Sequence, residues 1–160
     1  MLYSAEKIFN SYYHPLAPTY TELHLARTVA STIMQQCSAN LAITAGDAAI
    51  ISERITDILA ERAFNMSPVT LMLIHKKIFA DILRDAGQLR SEAAQEVEKS
   101  LRACFETERA SSYRGLTRYE VGQRLDAFAK ELLKLTPFSA GNKYAVLVFM
   151  EKYKQFKGIK

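Results

Sequence analysis

Residues that commonly do chemistry are sparse in this chain. Three histidines stand at His14, His24 and His75, none in a His-Glu-x-x-His or comparable ligand spacing. Metal ligation by histidine is therefore not expected, and His75, on a stretch apolar along one side, reads as a helix-capping or core-edge residue. Cys37 and Cys104 lie too far apart for a metal knuckle and have no basic cluster beside them to lower a thiol pKa. Both occupy core-type positions and read as buried and inert. No Gly-x-Ser-x-Gly elbow, Walker loop or Gly-x-Gly-x-x-Gly turn occurs. What remains is one turn, Pro137-Phe138-Ser139-Ala140-Gly141-Asn142-Lys143, which feeds directly into an apolar run. A glycine and an asparagine at a helix start leave free N–H groups, and the positive end of the helix dipole and Lys143 add to them. Ser139, Gly141, Asn142 and Lys143 are thus candidates to hold phosphate or another anion. The plainer alternative is that Ser139 or Asn142 only caps the helix, as some residue must at every helix start.

The elements around that turn read as helices. Thr21 to Gln36 carries Leu23, Val29 and Ile33, and Asp47 to Phe64 carries Ile51, Ile55, Ile58 and Leu59 at spacings of three and four. Ser67-Pro68 is a start signal, because serine caps free amides and proline tolerates the first helical position. That helix is expected to run to Asp85, with Leu71, Ile74, Ile78 and Ile82 in one stripe and Gly87 ending it. Ser91 opens a helix with Val97, Leu101, Cys104 and Phe105, and Ser111 to Gly115 is a break. Thr117-Arg118-Tyr119-Glu120 is a capping box, followed by Val121, Leu125, Phe128, Leu132 and Leu135 on one face. The run Ala145 to Met150 suits a buried strand or a buried helix by periodicity alone. With no other convincing strand to pair with, it is expected to be a central helix, buried on all sides.

Composition agrees with one all-α domain over residues 1–160. That length can bury roughly two thirds of the unfolded surface without a disulfide or metal staple. Hydrophobic residues at 49% and charged residues at 24% exclude wholesale disorder. No apolar run approaches the ~18 residues of a membrane span. The amino end lacks the basic-then-apolar pattern of a signal peptide, so a reducing cytoplasm is expected. The net charge of +4 is mild. Its one dense cluster, Lys152, Lys154, Lys157 and Lys160, suits a helix carboxyl end better than a nucleic-acid patch. Residues 1–20, rich in proline and tyrosine, read as an extended segment in which Tyr12, Tyr13 and Tyr20 pack against the domain body.

Two segments together resemble the Fic/Doc (Fido-domain) family. The first runs from Ile74-His75 through Ile78-Phe79 and Asp81 to Ala86-Gly87 and Arg90, matching the family's Ile-His, Leu-Phe, aspartate, Ala-Gly and arginine. The second, Thr136-Pro137-Phe138-Ser139-Ala140-Gly141-Asn142-Lys143-Tyr144, resembles its active-site motif. That motif reads histidine, Pro-Phe, any residue, an acidic residue, Gly-Asn, then Gly-Arg or, in the Doc branch, Lys-Arg. The resemblance covers residues 67–153 and implies a helical bundle whose motif loop precedes a buried central helix. It implies loop amides on nucleotide phosphates, a histidine base, an acidic residue positioning magnesium, and transfer of AMP or, in the Doc branch, phosphate from ATP to a protein.

The chain departs from the motif at the reactive positions. Thr136 stands where the histidine should be, and a hydroxyl does not accept a proton at neutral pH as imidazole does. Ala140 replaces the acidic residue, while Tyr144 and Leu147 replace two phosphate-gripping arginines. The family's β-hairpin flap is absent or very short, since Ser91 to Ala110 reads as helix. The expectation is a catalytically degenerate Fic/Doc-fold protein that binds a protein partner, with ATP the ligand the loop would take if it takes one. A toxin–antitoxin-like setting comes from the family alone. The alternatives are an active AMP- or phosphotransferase with a divergent site, and a helical adaptor or oligomerisation domain, with homo-oligomers left open.

Overall fold

The computed structural model describes residues 17–159. Six helices follow in order: α1 (Tyr20–Cys37), α2 (Ala45–Ala60), α3 (Pro68–Phe79), α4 (Ala94–Ala110), α5 (Arg118–Leu135) and α6 (Asn142–Lys157), with no strand among the described residues. The fold is an all-α bundle around α6, as the hydrophobic spacing predicts. Tyr12, Tyr13 and His14 lie outside the described residues. Tyr20, expected to pack on the body, is instead 81% exposed at the first turn of α1.

Local chemistry sets the helix starts. The side chains of Thr19, Thr44 and Ser67 accept from the amides of Glu22, Asp47 and Thr70. The box at Thr117 closes in both directions with Glu120. By contrast α4 begins at Ala94 and not at Ser91, after Ala93 in a left-handed conformation (φ 113°) with no side-chain cap.

Two helices end earlier than their apolar pattern suggests, because distant side chains take their last carbonyls. The pattern of α2 continues to Phe64, but the helix stops at Ala60. The buried Lys152 ammonium, from α6, donates there to the carbonyls of Ile58 (2.8 Å) and Glu61 (2.6 Å). Phe64 then leaves the helix axis and lies against Phe149, with ring centroids 5.2 Å apart. The α3 pattern continues to Asp85, but the helix stops at Phe79. The Arg54 guanidinium donates there to the carbonyls of Ile78 (3.0 Å) and Ala80 (2.7 Å), and Asp81 turns to φ 65°.

The central helix α6 packs against α1, α2, α3 and α5. Its Tyr144, Ala145, Val146, Val148, Phe149, Met150 and Tyr153 are buried. Burial is not complete on every side, as the stripe Lys143, Leu147, Glu151 and Lys154 is only half-buried. Around Phe149 the rings of Phe64, Phe105, Phe128 and Tyr153 form one aromatic cluster, mostly edge-on or tilted, the arrangement that ring quadrupoles favour. At its margin Glu108, itself buried, accepts hydrogen bonds from the hydroxyls of Tyr113 (2.5 Å) and Tyr153 (2.9 Å). Burial first, and then that carboxylate, push both phenols above their ordinary value.

Candidate functional site

The turn that the sequence singles out is a loop from Thr136 to Gly141 at the amino end of α6. It joins α5 to α6 through two left-handed residues, Thr136 (φ 41°) and Gly141 (φ 75°). Gly141 is there because nothing larger fits: a Cβ would stand 2.4 Å from Phe79 Cε2. The Asn142 side chain braces the turn. Its Oδ1 accepts from the Phe138 amide and its Nδ2 donates to the Phe138 carbonyl, both at 2.8 Å.

The loop is fastened to the segment that follows α3. His75 is buried, its Nδ1 accepting from the Gly87 amide (2.9 Å) and its Nε2 2.8 Å from the Ala140 carbonyl. The Gly87 contact makes Nδ1 the acceptor, so the ring carries its proton on Nε2 and donates to Ala140. The imidazole stacks on Phe138, centroids 3.9 Å apart and planes within 12°. Burial holds its pKa below the ordinary 6.5, against the opposing effects of the Ala140 carbonyl and Asp85. Arg90 holds the other side. Its amide donates to the Pro137 carbonyl (2.8 Å) and its guanidinium to the carbonyls of Thr136 (2.7 Å) and Leu135 (3.3 Å).

The four candidate anion contacts are therefore neighbours but not equivalent. Ser139 is exposed at the tip of the loop. Gly141 is buried and offers only backbone. Asn142 has its amide group committed to Phe138, and Lys143 extends to the Gln36 carbonyl in the last turn of α1 (3.0 Å). The main-chain amides of Ser139, Ala140, Gly141, Asn142 and Lys143 have no hydrogen-bond acceptor among the described residues, and of these five residues only Ser139 is exposed. They lie at the positive end of the α6 dipole.

Positions where the resemblance implies reactive groups carry none. Thr136 presents an exposed hydroxyl. Ala140 contributes a carbonyl to His75. Tyr144 is fully buried, edge-on to Phe79, and its hydroxyl has no hydrogen-bond partner among the described residues. Among the described residues no group of three or more His, Cys, Asp or Glu side chains is arranged to hold a metal ion. Cys37 is buried and Cys104 half-buried, and burial pushes each thiol up to about 11, which keeps both protonated at neutral pH. His24 is exposed on α1.

A wider groove lies elsewhere. A groove of about 1190 Å³ runs between α1, the end of α2, the start of α5 and the last turns of α6. It is lined by Leu25, Val29, Phe64, Val121, Leu125 and Phe156, among others. Leu25 and Phe156 are 61% and 62% exposed. Along α6 this groove begins at Glu151, about 14 Å from the loop at Asn142 at 1.5 Å per residue.

Sequence reasoning missed two residues that position the loop, His75 against it and Arg90 behind it, and a third, Lys152, that caps the end of α2. The only available signal for the first two was their place in the first segment of the resemblance, which the fold brings against the second. The architecture is a helical bundle presenting an amide-lined loop on a buried helix. No family model, curated protein or solved structure matches the chain. No helix among the described residues is long and apolar enough to cross a membrane.

Proposed function

We propose that this chain is a binding protein on a Fic/Doc-like helical scaffold, with a loop that takes an anionic group such as a nucleotide phosphate without transferring it. The observation carrying this reading is how the polar side chains of the loop are spent. Asn142 holds Phe138, Lys143 holds Gln36, and His75, the one imidazole among the described residues in contact with the loop, is buried with both nitrogens occupied. A general base must reach the proton it removes. His75 reaches only Ala140 and Gly87, and Thr136 has no basicity to offer. The loop amides from Ser139 to Lys143 have no acceptor among the described residues, and backbone N–H groups at a helix start suffice to hold phosphate weakly. Partner binding draws separate support from the apolar groove, whose exposed Leu25 and Phe156 suit a protein surface more than a nucleotide.

Titration of ¹⁵N-labelled protein with ATP, with and without magnesium, tests the loop directly. The expected result is saturable shifts in the amides of Ser139 to Lys143, little dependent on magnesium, with Asn142 side-chain signals unmoved. No shift at millimolar ATP or inorganic phosphate would remove the anion site.

A further inference from the structure

We propose that His75 is an acid-sensitive latch, tying the 80–87 turn to the 137–141 loop while its imidazole is neutral and letting go when it is protonated. The geometry carries this. With Nδ1 accepting from Gly87 and Nε2 donating to Ala140, one ring joins two segments 53 residues apart in sequence. A second proton can land only on Nδ1. It would then point at the Gly87 N–H, donor against donor, and that hydrogen bond must break.

The ring has no room to turn away. It is 1% exposed, stacked on Phe138 and 4.9 Å from the Phe79 centroid. The turn cannot follow it either. Gly87 sits at φ 81° with its α-carbon so close to α3 that a Cβ would meet Lys76 Cβ at 2.6 Å. Relief therefore comes by the turn lifting off, which uncovers one side of the loop.

The charged groups around the ring do not replace the lost bond. Asp85, in the turn itself, favours the imidazolium but makes no hydrogen bond to it. Lys76, on α3, makes no hydrogen bond to the ring. Arg54 of α2 is spent on Ile78 and Ala80, Arg90 on Leu135 and Thr136, and Lys143 of α6 on Gln36.

The sign follows from linkage. Burial lowers the pKa of the latched ring below the ordinary 6.5, so the released state binds more protons in the interval beneath that value. The latch is fully closed above about pH 6.5. It loosens as the pH falls from there toward the lowered value, the open fraction growing about tenfold per pH unit. This holds whether or not the loop takes an anion.

Two NMR readings on the intact chain test it. Ring ¹⁵N shifts should report the Nε2–H tautomer at neutral pH and a pKa below 6.5. Exchange of the Gly87 amide, corrected for its intrinsic pH dependence, should rise about tenfold per unit over that interval, while core amides at Leu125 and Leu132 of α5 do not change. His75→Gln keeps a donor and an acceptor without titrating and should abolish the pH dependence. A ring pKa at or above 6.5, a Gly87 exchange rate independent of pH after correction, or a His75→Gln protein retaining the dependence would overturn the proposal. If His75→Gln does not fold, the two wild-type readings decide.

Discussion

Gly141→Ala is expected to destabilise the protein by about 2–5 kcal/mol, because two costs fall on one position. A left-handed φ of 75° costs an L-residue about 1–2 kcal/mol. The added methyl would stand 2.4 and 2.6 Å from Phe79 Cε2 and Cζ, and overpacking of this kind costs about 1–3 kcal/mol. Phe79 is fully buried between His75 and Tyr144, so it cannot swing aside cheaply. In a chain of this size each kcal/mol shifts the melting temperature by about 2–4 °C, so a fall of roughly 4–20 °C is expected by calorimetry. Gly122→Ala is the control. It lies inside α5 with open space around its α-carbon, and alanine there should stabilise by about 0.5–1 kcal/mol. Equal effects at the two positions would mean that the loop does not press on α3 as described.

Phe149→Ala is expected to cost about 3–5 kcal/mol, the range for deleting a buried phenylalanine. Its ring touches the cluster from four directions, through Phe64, Phe105, Phe128 and Tyr153, which belong to the segment after α2 and to α4, α5 and α6. No single neighbour can collapse into the space. Against a typical total of about 5–15 kcal/mol, the loss leaves a protein with helical far-UV but weakened near-UV circular dichroism and a lower urea midpoint. A midpoint unchanged within error would contradict the placement of α6 at the centre.

Much of this fold was legible because helices advertise their buried faces. Ile51, Ile55, Ile58 and Leu59 on α2, and Leu125, Phe128 and Leu132 on α5, are buried where spacings of three and four place them. The ends of α2 and α3 were not legible, since apolar spacing continues past both. What stops them is Lys152, more than 90 residues away, and Arg54, from the preceding helix. No local signal encodes a donor that arrives from elsewhere in the fold.

The site divides the same way. That Pro137 to Lys143 forms a turn opening a buried helix could be read from glycine, asparagine and the apolar run. That the side chains of Asn142 and Lys143 turn inward could not, because their partners, the Phe138 backbone and the Gln36 carbonyl, emerge only when α1 and α6 meet. His75 was read as a core-edge residue. It is buried, but its partner Ala140 lies 65 residues along the chain.

The central claim is that the loop binds without reacting, and label transfer tests it most directly. Purified protein is incubated with magnesium and ATP labelled at the α- or γ-phosphate, alone and with added cell extract. The account predicts no incorporation of either label into this chain or any other protein above a heat-inactivated control, and no ATP turnover. Incorporation that depends on the folded protein and is lost in Gly141→Ala would contradict it and make the chain a transferase with a divergent site.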